Sequence, residues 1–308
     1  MNILVTGANG QLGQCLRDCV ENGTDTENTW FWTDVSGIEG RRCDYLDIMD
    51  EEAVRKFFTD KAISVCVNCA AYTNVDKAEE DQEMARKLNA DAPKILAEAC
   101  KIHGSKLLHI STDYVHNGTS FIPITEDRPA FPMSVYGKTK LEGEENIINS
   151  GCKYLIFRTA WLYSEYGNNF VKTMLKLTAE KDDLYVVNDQ IGTPTYARDL
   201  ANLIYTAIMA THPLLKEGVY NYTDNGVCSW YDFTYMINKM RNEYSAEHNC
   251  RIKPISTRDF YGSKKHAPRP FYSVLSKKKV ENDFPWVPVP YWTNSLALCI
   301  ENLLKNNC

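Results

Sequence analysis

Short apolar runs recur along the chain at Asn2-Ile3-Leu4-Val5, Trp30-Phe31-Trp32-Thr33, Ser64-Val65-Cys66-Val67-Asn68, Lys106-Leu107-Leu108-His109-Ile110, Tyr154-Leu155-Ile156-Phe157 and Leu184-Tyr185-Val186-Val187. A stretch of helical periodicity separates each from the next, and that alternation predicts strands of a parallel sheet. Right-handed crossovers would cover both faces with helices and leave the carboxyl ends of the strands as a ligand crevice. After about Thr195 the alternation weakens, and aromatic, proline and basic residues accumulate. The expected class is therefore α/β: a doubly wound parallel sheet with a smaller, irregular part toward the C-terminus. Residues 1–165, continued by parts of 183–215, should form the sheet domain. Residues 166–308 should form most of the second domain, interleaved with the first through excursions such as 117–132.

The turn after the first run gives the sheet a purpose. Thr6-Gly7-Ala8-Asn9-Gly10-Gln11-Leu12-Gly13 reads as strand, glycine turn, helix. Gly7 can take tight-turn angles, Gly10 lets a pyrophosphate approach the main chain, and Gly13 lets the helix pack close to the strand. The free N–H groups and dipole at the helix start favour an anion. No Walker lysine follows, which argues against a nucleoside triphosphatase. The expectation is a Rossmann-type fold whose dinucleotide contacts include Gly7, Asn9, Gly10, Gln11, Leu12 and Gly13. Asp34, about twenty residues on, is placed to bind an adenosine ribose. Arg41 and Arg42 could instead meet a 2′-phosphate, leaving NADH and NADPH both open. Asp44 and Tyr45 could offer the adenine a carboxylate and an aromatic wall, and Ala70-Ala71-Tyr72-Thr73 ends the third long run.

Tyr136 and Lys140 lie four apart in Tyr136-Gly137-Lys138-Thr139-Lys140, so on a helix they share a face. A nearby ammonium favours a phenolate, and this pairing is expected to bring the phenol closer to neutral operating pH. Ser111-Thr112-Asp113 follows the fourth run, and Thr159-Ala160-Trp161 follows the fifth. All these groups fall at strand ends, on one edge of the sheet.

A length of 308 residues allows a large core, and a net charge of −6 gives no broad basic field for nucleic acid. No apolar run approaches the roughly twenty residues that span a bilayer, and Met1 leads straight into a strand, so a cytoplasmic protein is expected. Cys66-Val67-Asn68-Cys69 has redox or zinc spacing, but it falls within a strand and has no second ligand pair, so it is read as core. His109 lies in a strand and His116 in a turn, and neither is assigned a proton-transfer role.

Motifs along nearly the whole chain resemble the extended short-chain dehydrogenase/reductases, and within them the dTDP-4-dehydrorhamnose reductases. They are residues 6–13, Asn68-Cys69-Ala70-Ala71-Tyr72-Thr73-Asn74-Val75-Asp76-Lys77-Ala78-Glu79, Ser111-Thr112-Asp113-Tyr114-Val115, the Tyr136 segment continuing to Glu144, Phe157-Arg158-Thr159-Ala160-Trp161, Gly167-Asn168-Asn169-Phe170, Asp189-Gln190-Ile191-Gly192-Thr193-Pro194-Thr195, and Arg269-Pro270 with Ser273. The resemblance implies hydride transfer from NADPH or NADH to the C4 carbonyl of a nucleotide-linked 4-keto-6-deoxysugar. Tyr136 would protonate the oxygen, Lys140 would fix the nicotinamide ribose, and Thr112 would donate a hydrogen bond to the sugar. Asp113 would orient the sugar, Trp161 would lie against it, Asn169 would contact the nucleotide half and Arg269 the diphosphate. Some members are magnesium-dependent dimers with interface glutamates. Here Cys15 and Arg198 occupy the matching places, so no metal is expected, and the assembly is a monomer or homodimer. Two rivals stand. A dehydratase or epimerase shares the motifs, but a dehydratase needs an acid and base pair after the central threonine, and Asp113 is followed by Tyr114. A non-catalytic regulatory subunit, like the β subunit of methionine adenosyltransferase, would bind cofactor without turnover.

Overall fold

The structure is a computed structural model and describes residues 1–23, 27–209, 216–244 and 248–305. Six strands come first: β1 (Asn2–Thr6), β2 (Thr29–Asp34), β3 (Asp44–Tyr45), β4 (Val65–Asn68), β5 (Lys106–Thr112) and β6 (Lys153–Thr159). The chain then makes four strands outside the sheet, β7 (Leu162–Tyr163), β8 (Asp183–Val187), β9 (Ile191–Gly192) and β10 (Thr195–Tyr196), before returning as β11 (Gly218–Asn221). The main sheet has the order β11-β6-β5-β4-β1-β2-β3 and is parallel throughout. This is the doubly wound order with one strand added beyond β6. β12 (Cys228–Ser229) and β13 (Arg251–Ile255) pair with β9 and β8.

The helices are α1 (Gln11–Glu21), α2 (Glu51–Lys61), α3 (Val75–Glu80), α4 (Gln82–Arg86), α5 (Ala92–His103), α6 (Val135–Ser150), α7 (Phe170–Glu180), α8 (Ala197–Met209) and α9 (Trp230–Tyr244), with shorter and later ones beyond. Successive strand residues bury opposite faces, as a strand covered on both sides requires. Ile3, Val5 and Val67 pack with Leu12 and Leu16 of α1 and Leu200, Leu203 and Ile204 of α8. Leu4, Cys66, Leu107 and Ile156 pack with Phe58 of α2, Leu96 of α5 and Ile147 of α6. Each such side chain contributes about 1.5–3 kcal/mol. Cys66 and Cys69 thus belong to opposite layers, and both are free thiols. A third cluster gathers Tyr163, Val171, Met174, Leu184, Phe233 and Trp292 into the smaller part.

Two expectations need correction. Leu184-Tyr185-Val186-Val187 does not extend the parallel sheet but pairs with β13 in a two-stranded sheet, where Leu184 and Val186 join the smaller core. The run of 183–215 therefore divides: 183–187 leaves the main sheet, 197–209 packs on it as α8, and 210–215 lies outside the described residues. The seventh strand comes later, at Gly218–Asn221, in register with Leu155–Arg158. Asp50 caps α2 by accepting from Ala53 N, while Asp47 accepts from Met49 N. No helix among the described residues is long and apolar enough to cross a membrane.

Candidate active site

The carboxyl ends of the central strands open into a cleft of about 700 Å³, and a second cleft of about 600 Å³ lies beside it. Thr73, Val75, Tyr114 and Trp161 border both. Gly7, Gly10, Gln11, Leu12, Asp34, Ala70, Ala71 and Thr73 wall the first, with Thr112, Asp113, Tyr136, Lys140, Trp161 and Asn169. Gly7 has φ +63°, and a Cβ there would stand 2.5 Å from Ala70 N. A Cβ on Gly13 would stand 2.5 Å from Gly7 O, so the crossing of β1 and α1 requires both glycines. α1 begins at Gly10 with no side-chain cap, which leaves its first N–H groups for an anion. This cradle fits a dinucleotide pyrophosphate.

Asp34 stands at the mouth, its carboxylate accepting from Asn9 N (3.0 Å), Val35 N (2.8 Å) and Ser36 N (3.2 Å). Asn9 therefore serves the cleft indirectly, by holding Asp34. Arg41 is bound to Asp18 (3.0 Å) and Tyr166 (3.2 Å), and Arg42 is exposed. The two residues expected to wall the adenine do not line the first cleft. Asp44 and Tyr45 form the edge strand β3, with Tyr45 74% exposed, and Leu46, Asp47, Ile48 and Met49 line the cleft instead. Tyr72 does not line the cleft, and its main chain is held by Asn89, whose side chain accepts from Tyr72 N (2.9 Å) and donates to Tyr72 O (3.1 Å). Asn89 lies in a π-helical turn, Lys87–Asp91, and was not singled out from sequence. Such turns recur at functional sites, and here one links the 70–73 segment to α6 through Thr139.

Ser134 caps α6 by accepting from Gly137 N, which starts the helix one turn before Lys140. The Tyr136 ring packs edge-on to Tyr114, centroids 5.4 Å apart. Its phenol is pushed up to about 12, first by burial and then by the Asp113 carboxylate, with the Thr112 hydroxyl pulling it down. The expected lowering by Lys140 is not found. The lysine is buried and turned away, donating to Ile110 O (2.6 Å) and meeting His109 Nε2 (3.3 Å), and burial pulls its ammonium down to about 8. A phenol that keeps its proton is nonetheless the form a reduction needs. Thr112 donates to Asp113 (3.0 Å) and accepts from Tyr114 N (3.2 Å), so it caps the turn as well as facing the cleft. Burial raises the Asp113 carboxyl to about 6, against the hydroxyls of Ser273 and Thr112. Behind the site Glu144 of α6 is locked to Arg158 of β6 and receives the Ser111 hydroxyl.

The second cleft is aromatic, with Phe170, Tyr185, Trp230, Phe260 and Tyr261 around Arg269. Trp161 has φ +50°, stacks on Trp230 at 3.6 Å, and fills the space where a Gly192 Cβ would go. One face of its ring is covered by Trp230, and the residue lines both clefts. Arg269 is bound to Asp76 (2.6 Å), which also accepts from Ala267 N (2.9 Å). Glu79, one turn along α3, accepts from Val135 N at the start of α6 (2.8 Å). The Asp76-Lys77-Ala78-Glu79 motif thus ties the Arg269 loop to the helix bearing Tyr136. Lys264 and Lys265 are exposed. Asn169 caps α7 and bonds to Gln11 (2.9 Å), which puts it on the first cleft.

Cys15 is a buried thiol pushed up by burial, and Arg198 reaches toward Asp18 and Glu165, both at 3.6 Å. A protonated thiol and a guanidinium do not fit a hard divalent cation. Among the described residues no group of three or more acidic, Cys or His side chains could hold one.

A family model described as RmlD substrate binding domain matches residues 1–305. The dTDP-4-dehydrorhamnose reductase of Aggregatibacter actinomycetemcomitans is 36% identical over 286 residues, 92% of each chain. A crystal structure of a dTDP-4-dehydrorhamnose reductase from Clostridium acetobutylicum superposes with a TM-score of 0.87 at 41% identity, covering 99% of this chain and 100% of that one. Another, from Bacillus anthracis in complex with NADP, gives 0.84 at 33% identity, covering 98% and 99%. The fold is shared from end to end, and the chain belongs to the dTDP-4-dehydrorhamnose reductase family of extended short-chain dehydrogenase/reductases.

Proposed function

We propose that the chain reduces the C4 keto group of dTDP-4-dehydro-L-rhamnose to give dTDP-L-rhamnose, using NADPH or NADH. The observation that carries this reading is the meeting of two clefts at Tyr114 and Trp161, with Thr112, Tyr136 and Lys140 on the first and a lone arginine on the second. A reduced nicotinamide bound in the first cleft supplies the hydride. Residues 7–13 hold its pyrophosphate, Asp34 its adenosine ribose, and Ala70, Ala71 and Thr73 the wall beyond. Asp34 favours an unphosphorylated ribose, and Arg41, committed to Asp18 and Tyr166, must change partners to meet a 2′-phosphate.

Arg269 binds the substrate diphosphate through the donors that Asp76 leaves open, and the Trp161–Trp230 stack walls the sugar. The Tyr136 phenol gives its proton to the C4 oxygen as charge develops there. Thr112 turns its hydroxyl from Asp113 to that oxygen, and the raised pKa of Asp113 lets the carboxyl take up a proton when that hydrogen bond is lost. Tyr114 stands against the phenol where a dehydratase would need a second acid or base, which supports reduction over dehydration. Purified protein with the keto sugar and each reduced nicotinamide should consume one nicotinamide per sugar. Binding of cofactor with no consumption would instead favour a regulatory subunit.

A further inference from the structure

A buried polar chain runs beneath the site. Thr6 Oγ1 donates to Asn68 Oδ1 (2.7 Å), Ala70 N donates to the same oxygen (3.2 Å), Asn68 Nδ2 meets His109 Nδ1 (3.0 Å), and His109 Nε2 meets Lys140 Nζ (3.3 Å). All four side chains are buried. The hydrogens follow by elimination. A backbone N–H only donates, so the Asn68 atom beside Ala70 N is its oxygen, and the amide nitrogen faces His109. That nitrogen donates, so Nδ1 is bare, and a neutral imidazole with a bare Nδ1 carries its proton on Nε2. This N–H points at Lys140. An ammonium has no lone pair to receive it, whereas an amine does and still donates to Ile110 O.

We propose that His109, oriented by Asn68, is a positioning residue that holds Lys140 as an accepting amine in the free protein, so that this lysine titrates within the working pH range. Ligand binding then decides the charge: an oxygen brought to Nζ rewards the ammonium, and the added proton comes from water. Burial acts in the same direction, lowering both His109 and Lys140. Of the other groups around the lysine, Glu144 on its own helix favours the ammonium but is paired to Arg158 of β6. Tyr136 lies one turn back, Asp113 acts on that phenol, and β4 and the π-helical turn present the neutral Asn68 and Asn89.

The kinetic consequence rests on the reductase reading, but the test does not. Side-chain nitrogen NMR of the natural protein should show His109 as the Nε2–H tautomer, and carbon NMR should show Lys140 titrating well below an ordinary lysine. Asn68→Asp keeps an oxygen for Thr6 and Ala70 and offers His109 a second oxygen that only accepts. The ring proton should move to Nδ1, and the Lys140 titration should rise by about one pH unit or more. In the reductase assay the matching limb of the kcat profile should move with it. An Nδ1–H or doubly protonated ring in the natural protein, or a tautomer switch that leaves the Lys140 titration in place, would overturn the proposal. Failure to reduce the sugar would remove the functional reading and leave both NMR results to stand or fall by themselves.

Discussion

The two clefts that meet at Trp161 are built from different materials. The first is anchored by main chain at the ends of parallel strands, where Gly7, Gly13 and the uncapped start of α1 bring β1 and α1 close together. The second is walled by side chains from distant segments, with Phe170, Trp230 and Tyr261 gathered around Arg269, which a single carboxylate holds in place. A site made of backbone fixes geometry, and a site made of side chains tunes affinity. Substitutions in the first should therefore act on kcat, and substitutions in the second on KM.

The largest effect is expected at Tyr136. Tyr136→Phe should lower kcat by about a hundredfold or more, with KM and cofactor affinity little changed. A loss confined to KM would erase the contrast between the clefts. Asp113→Asn should show its effect on stability through pH. The buried carboxyl, raised to about 6, binds a proton in the folded chain that the unfolded chain has released above about 4. Its contribution to stability therefore falls as pH rises from about 4 to 6 and stays reduced above. Relative to the natural protein, Asp113→Asn should gain on the order of 2 kcal/mol across that window in denaturant titrations at pH 4 and pH 7. A constant difference between the two pH values would contradict the raised carboxyl. The smallest effect belongs to the second cleft. Asp76→Asn frees Arg269 from an ion pair whose carboxylate is half exposed, so KM should change by about threefold to tenfold, with kcat nearly constant. A large fall in kcat would show that α3 acts on Tyr136 through Glu79 rather than on Arg269.

The same contrast explains how far the sequence could be read. The glycine turn and Tyr136–Lys140 were legible because a turn and a helical face are set within a few residues. Trp161 was legible only through resemblance, and its seat depends on Trp230, which stacks on it, and on Gly192, whose missing side chain leaves its ring room, both far along the chain. The acidity of Tyr136 was misjudged because spacing places Lys140 on the right face without saying where its ammonium points. His109, thirty-one residues away, decides that together with Ile110 O. Leu184-Tyr185-Val186-Val187 looks like any sheet strand, since a short apolar run does not name its partner. β11, only four residues long, gave no comparable signal. Asp44 and Tyr45 fall outside the cleft that residues 46–49 line because β3 is two residues long and its end cannot be read from pattern.

The most direct test is a crystal structure with oxidised cofactor and the reduced sugar nucleotide bound together. The Tyr136 hydroxyl should lie about 2.6–3.2 Å from the C4 hydroxyl, as a proton donor must. A phenol held away from that oxygen, with another acid in its place, would contradict the assignment of Tyr136.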